Sequence, residues 1–285
     1  MAKTWFITGT STGLGRLLTE QLLERGDRVI ATVRKTGALD ALQAIYGDQL
    51  HSITLDVTDT PAIRAAVAGA FAKMGRIDVV VSNAGYGLFG AGEETSDEQI
   101  DRQIATNLVG SIQLIRAVLP YLRGQGGGRI VQVSSEGGQI AYPNFSLYHA
   151  TKWGIEGFVE SVAQEVAPFG IDFLIVEPGP TSTEFGAGLD HATPLPCYDL
   201  PCYEKTPAGE VRRAMASGDF AIKGDAVNTV RAMITAADAV SPPLRLALGS
   251  TAYASISQAL TERLRVLEAQ KQVTFSADKE VRQAT

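Results

Sequence analysis

From Trp5 onward the chain alternates short apolar runs with amphipathic stretches of helix length, and few folds accommodate that rhythm. The runs over residues 5–8, 28–33, 50–55, 77–82, 129–134, 171–177 and 244–248 read as strands apolar enough to be covered on both faces. Helix-length stretches over 14–25, 37–46, 61–73, 97–123, 147–167 and 225–237 separate them, and the Gly-rich stretch 124–128 reads as a tight connection. Strands that alternate with helices pair in parallel, and right-handed crossovers leave a doubly wound open sheet or a closed barrel. Seven strands rather than eight favour the open sheet. The expected fold is therefore α/β, one Rossmann-like doubly wound domain with helices on both faces, and no linker or fixed-period repeat divides the 285 residues.

With 45% hydrophobic and 20% charged residues the chain can bury a full core, which excludes a disordered protein. Lys and Arg number 25 against 31 Asp and Glu, so no basic surplus points to nucleic acid. No apolar run nears the roughly 18 residues needed to cross a bilayer. The first nine residues lack a signal peptide's apolar core, and two cysteines cannot build a disulfide framework. The expected compartment is the reducing cytoplasm.

Thr8-Gly9-Thr10-Ser11-Thr12-Gly13-Leu14-Gly15 follows the first strand and opens the first helix. Glycines in such a turn let the backbone bend sharply and approach a pyrophosphate, while the helix N-terminus offers N–H groups to an anion. The same residues satisfy the Gly-x-Ser-x-Gly elbow of a serine hydrolase, with Ser11 as nucleophile. That elbow needs an oxyanion loop from an earlier strand, which this chain lacks, and a downstream histidine, of which only His51, His149 and His191 exist. The dinucleotide reading is preferred.

Past the second strand come Thr32-Val33-Arg34-Lys35, where an NAD site usually presents a carboxylate to the ribose 2′-hydroxyl. A guanidinium there attracts a 2′-phosphate, so the expected cofactor is NADP(H), with NAD(H) as the alternative. Further on, the fifth strand ends in Ser134-Ser135, and a helix then opens with Tyr148-His149-Ala150-Thr151-Lys152. Spacing i, i+4 puts Tyr148 and Lys152 on one face. A phenol of pKa ~10 is a poor base at neutral pH, and a neighbouring ammonium stabilises its phenolate. Ser135, which does not titrate, is placed to hydrogen-bond a substrate oxygen.

On these motifs the chain resembles the classical short-chain dehydrogenases/reductases. The resemblance rests on Thr8-Gly9-x-x-x-Gly13-x-Gly15, Asp56-Val57, Ser82-Asn83-Ala84-Gly85, Asn107, Ser135 with Tyr148-x-x-x-Lys152, and Pro178-Gly179, in the family's order up to about Thr183. Ser82 departs from the family's asparagine at that position. The resemblance implies an alcohol and a ketone or aldehyde interconverted by hydride transfer, with Tyr148 as acid/base. Ser135 then orients the substrate oxygen, Lys152 binds the nicotinamide ribose and lowers the Tyr148 pKa, and Asn107 holds a water of a proton relay. It further implies that residues Gly9 to Gly15 hold phosphates, Asp56 and Val57 contact adenine, and Asn83, Ala84 and Gly85 face the adenosine ribose. Pro178, Gly179, Thr181 and Thr183 then serve the nicotinamide amide and phosphates, Arg34 the NADP end, and the protein assembles as a homodimer or homotetramer through the helices at 97–123 and 147–167. A dinucleotide-fold sensor without catalysis is the rival reading, and it gives no reason to keep Asn107, Ser135, Tyr148 and Lys152 together.

Residues 181–224 are rich in Gly, Pro and Tyr, and the resemblance implies that this segment closes over the substrate as a lid. Phe185, Leu189, Tyr198, Leu200 and Tyr203 would face Leu88, Phe89, Gln139, Tyr142 and Phe145, a wall suited to an apolar or aromatic carbonyl compound. His191, Cys197 and Cys202 lack a fourth ligand and a tight Cys-x-x-Cys pair, so no metal is expected. Trp153 reads as a packing or subunit-contact residue. Residues 249–285 extend past the last strand, with a helix over 252–269 and a tail after Val273 that reads as disordered.

Overall fold

The computed structural model describes residues 2–198, 206–218 and 221–279. Seven parallel strands form its centre: β1 (Thr4–Ile7), β2 (Arg28–Val33), β3 (Leu50–Thr54), β4 (Val79–Ser82), β6 (Gly128–Val133), β7 (Ile171–Pro178) and β9 (Arg245–Leu248). Their order is β3-β2-β1-β4-β6-β7-β9. The order reverses between β1 and β4, and open sheets of this kind bind ligands beyond the strands' carboxyl ends at such a point. The expected doubly wound α/β sheet is what the chain adopts.

Each strand feeds two cores because successive side chains point to opposite faces. Phe6, Ile30, Val80, Ile130 and Ile175 face one way. They pack on α3 (Thr60–Met74), α5 (Gly110–Gly124) and α6 (Ser146–Val166). Trp5, Ile7, Val29, Val79, Val81 and Val131 face the other way, onto α1 (Gly13–Glu24) and α8 (Ala226–Asp238). Helix ends follow local chemistry: Asp59 caps α3 by accepting the Ala62 N–H at 2.9 Å, with Pro61 in the first turn.

Where the structure departs from the sequence reading, side chains and glycines explain it. The second helix, α2 (Asp40–Tyr46), starts three residues past Gly37, whose φ of +85° lies outside the helical region. The stretch 97–123 is not one uninterrupted helix: α4 (Asp97–Ile104) passes through a π-helical turn at Ala105–Val109 before α5 begins. That wide turn carries Asn107 inward, which a hydropathy pattern cannot register. The lid holds regular structure that the sequence did not announce. Strand β5 (Leu88–Phe89) pairs in parallel with β8 (Asp190–His191), and α7 (Pro207–Ser217) follows. Past the sheet, α9 (Ser250–Ala269) is joined by α10 (Lys271–Phe275), so helix continues into the stretch read as disordered after Val273.

Helix α9 is anchored behind the loop that follows β6. Ala252 and Ile256 bury against Ile140 and Tyr142. Arg263 lies 5.0 Å from the Trp153 ring centroid and donates to the Gln139 carbonyl at 2.7 Å, while Trp153 Nε1 donates to the Ile140 carbonyl. Trp153 thus packs within the chain. Among the described residues no helix is long and apolar enough to cross a membrane.

Candidate active site

The carboxyl ends of β1, β4, β6 and β7 bring the sequence-predicted residues to one edge. The glycine turn is shaped by close backbone contact. A Cβ on Gly15 would lie 2.3 Å from the Gly9 carbonyl oxygen and 2.4 Å from Asn83 Nδ2. One on Gly9, at φ +70°, would lie 2.8 Å from Ala84 Cα. Asn83 locks the turn by donating to the Thr8 and Gly9 carbonyls at 2.8 and 2.9 Å. Thr8 Oγ1 returns the favour by accepting the N–H groups of Asn83 and Ala84. Thr10 is tied to the end of β2, where both its N–H and its hydroxyl donate to the Thr32 carbonyl. Ser11 and Thr12 stay exposed, and Thr12, at the N-cap of α1, makes no side-chain cap bond.

This is a cradle that fits a dinucleotide: a bend with glycine at its closest backbone approaches, closed from behind by Asn83, and leading into a helix N-terminus. Arg34 and Lys35 are exposed just past β2. Asp56 turns its carboxylate onto the Thr58 N–H and hydroxyl at 2.9 and 2.8 Å, which with the nearby Arg34 charge holds its pKa below the usual range. One oxygen, Oδ1, therefore serves the local turn. Val57 backs the floor, since a Cβ on Gly110 would meet its carbonyl oxygen at 2.7 Å. Past β7, the Gly179 N–H donates to the Leu248 carbonyl, Thr181 Oγ1 to the Gly179 carbonyl, and Thr183 Oγ1 accepts the Phe185 N–H.

The Ser, Tyr and Lys set is assembled between β6 and α6. Ser135 Oγ accepts the Gly137 N–H at 3.1 Å, leaving its own proton to donate. Tyr148 and Lys152 share a face of α6, with Nζ 5.4 Å from the phenol ring centroid and 3.0 Å from the Val133 carbonyl that accepts its proton. Asn107 Oδ1 accepts the Tyr86 N–H at 3.1 Å and its Nδ2 donates to the Tyr86 carbonyl at 2.8 Å. The asparagine thereby pins the segment after Gly85, and a Cβ on Gly85 would sit 3.2 Å from that same Oδ1.

Electrostatics in this arrangement differ from the sequence expectation in one respect. Burial pushes the Tyr148 phenol up to about 12, against a downward pull from the Ser135 hydroxyl, and the carboxyls of Glu136 and Glu156 add to the rise. Burial likewise pushes Lys152 down to about 8, with Glu156 opposing. The lowering of the Tyr148 pKa expected from Lys152 is therefore not what the site shows, because desolvation of the phenolate raises it instead. A neutral phenol is nonetheless the form that can give a proton away.

Aromatic groups border the phenol. Phe145 meets Phe89 edge-on at 5.2 Å and Tyr148 at 6.2 Å, and Phe185 lies 5.6 Å from Tyr148. Leu88 and Leu189 are buried beside them, with a Cβ on Gly87 placed 2.5 Å from Leu189 Cδ2. Two residues expected on this wall turn elsewhere. Gln139 Nε2 donates to Glu177 at 2.8 Å, and the Tyr142 hydroxyl donates to Glu136 at 2.6 Å while its ring packs on α9. The unforeseen C-terminal packing is the reason. Tyr198 is half-buried and its hydroxyl donates to Glu93. Leu200, Cys202 and Tyr203 lie outside the described residues. Cys197 is exposed, and His191 in β8 lies 5.5 Å from the Phe89 ring.

Three buried acids near the site escaped the sequence reading. Glu156 accepts from the Ser134 hydroxyl at 2.5 Å and pairs with Arg245, which also holds Glu177 and Glu160. Its position one helical turn past Lys152 was the available signal. Glu136 follows Ser135, and Glu94 binds the N–H groups of Ala91 and Leu195 and pairs with Arg212, tying the lid to the segment after β5. The hydrolase reading of Ser11 lacks its histidine. His51 faces Lys73, His149 accepts the Tyr142 N–H and is held neutral by burial, and His191 meets Phe89 edge-on.

An α/β sheet with a glycine turn at its switch point and Ser, Tyr and Lys at the adjoining strand end is the architecture of a nicotinamide-type oxidoreductase. Residues 3–193 match the family model described as short chain dehydrogenase, and the chain belongs to that family of oxidoreductases. It is 39% identical over 255 residues to oxidoreductase BOA17 of Botryotinia fuckeliana, covering 88% of this chain and 90% of that one. It is also similar to a solved short-chain dehydrogenase from Streptomyces avermitilis, with a TM-score of 0.88, 38% identity, and coverage of 98% and 100% of the two chains. An alcohol dehydrogenase of the archaeon Thermococcus sibiricus, solved with 5-hydroxy-NADP, shares the fold at a TM-score of 0.70 and 23% identity over 87% and 96% of the chains.

Proposed function

We propose that this protein is an NADP(H)-dependent oxidoreductase that interconverts an alcohol and a ketone or aldehyde in the cytoplasm, as a homodimer or homotetramer. The observation that carries the reading is the convergence of Ser135, Tyr148 and Lys152 between β6 and α6, at the same sheet edge as the glycine turn. When bound, the nicotinamide supplies or accepts the hydride. Everything else falls to side chains of this chain.

In reduction, the Ser135 hydroxyl donates to the carbonyl oxygen and fixes its distance from Tyr148. The Tyr148 phenol gives its proton to that oxygen as negative charge develops on it. In oxidation the same phenol must receive the proton, and the positive charges of Lys152 and of an oxidised nicotinamide would together bring its pKa down. Lys152 also faces the position where ribose hydroxyls would lie. Asn107 keeps the floor of the site in register through Tyr86 and stands where a water could be held. Asn83 fixes the phosphate turn, whose N–H groups face the pyrophosphate, while Asp56, Val57, Ala84 and Gly85 border the adenosine. Pro178, Gly179, Thr181 and Thr183 close the nicotinamide end. Phe89, Phe145 and Phe185 give the substrate side an apolar, aromatic surface, which favours carbonyl compounds of that character.

Arg34 and Lys35 are the basis for NADP(H) over NAD(H), since no carboxylate stands at the end of β2 to repel a 2′-phosphate. The solved T. sibiricus relative held an NADP derivative, in keeping with this choice. Arg34→Asp is expected to lower kcat/KM for NADPH by about tenfold or more while NADH gains, the loss of one charge-assisted phosphate contact plus a new repulsion. Steady-state kinetics with both cofactors check it, and unchanged selectivity would contradict the assignment. The reading as a whole is tested with a panel of ketones, aldehydes and alcohols followed at the NADPH absorbance band. Cofactor-linked turnover of at least one carbonyl class is expected.

A further inference from the structure

The turn at residues 183–189 carries two side chains into the site that no sequence motif calls for. Glu184 presents its carboxylate to the first turn of α1, where Oε2 accepts the Gly13 N–H at 3.1 Å. Its neighbour Phe185 lays its ring 5.6 Å from that of Tyr148 and 2.8 Å from the position of a Gly87 Cβ. The turn is held by its own backbone. Gly188 N donates to the Glu184 carbonyl at 2.9 Å and Phe185 N to Thr183 Oγ1 at 3.3 Å.

A carboxylate and a phosphate make the same demand on a helix N-terminus: a negative oxygen facing N–H groups at the positive end of the dipole. Thr12 supplies no side-chain cap to α1, so Glu184 takes that part from 171 residues away. Gly13 belongs to the turn assigned above to the cofactor's pyrophosphate. One N–H group therefore has two claimants of the same charge.

We propose that Glu184 is an internal competitor for the pyrophosphate of the nicotinamide cofactor, holding the turn at residues 183–189 on α1 until a dinucleotide takes its place. The proposal rests on the cofactor reading above. Phe185 is the next residue in the same short turn, so the competing carboxylate sits beside the ring that borders Tyr148. Glu184 itself is exposed, and its replacement leaves every core contact in place.

The test is calorimetric titration of the intact protein with NADP+ and, separately, with adenosine 2′-monophosphate, which lacks the pyrophosphate. Glu184→Gln and Glu184→Ala are expected to bind NADP+ about twofold to fivefold more tightly than the wild type, the range a carboxylate at an exposed helix N-terminus is worth. Affinity for adenosine 2′-monophosphate is expected to be the same in all three. Unchanged or weaker NADP+ binding in both variants overturns the proposal, as does equal tightening of the monophosphate. A wild type that binds no nicotinamide nucleotide overturns the cofactor reading instead, so the two failures are distinct.

Discussion

Tyr148→Phe is expected to lower kcat by about 10²- to 10⁴-fold, the usual contribution of a positioned general acid or base. The ring keeps its contacts with Phe145 and Phe185, so the fold and the aromatic surface should persist. What disappears is the hydroxyl beside Ser135 that can give a proton to a carbonyl oxygen. NADP+ affinity is expected to stay within about twofold, since the variant leaves Lys152 and the glycine turn untouched. A kcat within about tenfold of the wild type would place the proton source elsewhere.

The second large effect is expected on the cofactor side. Gly15→Ala puts a Cβ 2.3 Å from the Gly9 carbonyl oxygen and 2.4 Å from Asn83 Nδ2. Neither neighbour is a flexible chain end. The carbonyl is backbone, and Asn83 is fixed by its bonds to the Thr8 and Gly9 carbonyls. Either α1 shifts or the asparagine is expelled, and overpacking of this kind costs about 1–3 kcal/mol. Urea unfolding should register that loss, and calorimetric NADP+ affinity should fall by at least about tenfold as the turn deforms. Gly13→Ala is the comparison. Its Cβ meets nothing within 4 Å, and only the φ of +61° is strained, so a cost of about 1–2 kcal/mol follows. If Gly15→Ala behaves no worse than Gly13→Ala, the close packing of the turn is not what shapes the site.

Legibility in the sequence followed the physics of each signal. The sheet was readable because buried parallel strands must be continuously apolar, as Val79, Val80 and Val81 are, and because crossovers have one hand. The placing of Ser135, Tyr148 and Lys152 was readable because helical spacing and strand ends fix directions in advance. What stayed hidden depends on contacts between distant segments. Asn107 turns inward through a π-helical turn and is held there by the backbone of Tyr86, and no local hydropathy pattern announces that turn. Gln139 and Tyr142 were assigned to the substrate wall by their place in the loop, yet α9 packs behind that loop and draws Tyr142 toward it. The pairing of β5 with β8 involves two residues on each side, too few for periodicity to show. The electrostatic balance at Tyr148 was equally invisible, because its largest cause is burial of the phenol, to which the charges of Glu136 and Glu156 add.

Hydride is expected to move directly between a nicotinamide and a carbonyl carbon while Tyr148 supplies the proton. The most direct measurement uses NADPH carrying deuterium at the transferable position of the nicotinamide, with a ketone that the activity panel shows to be turned over. The product alcohol is then analysed by mass spectrometry and NMR. The account predicts one deuterium per molecule, bonded to the carbinol carbon, and little labelled product from Tyr148→Phe over the same time. An alcohol formed without deuterium on that carbon, or labelled equally fast by Tyr148→Phe, would contradict it.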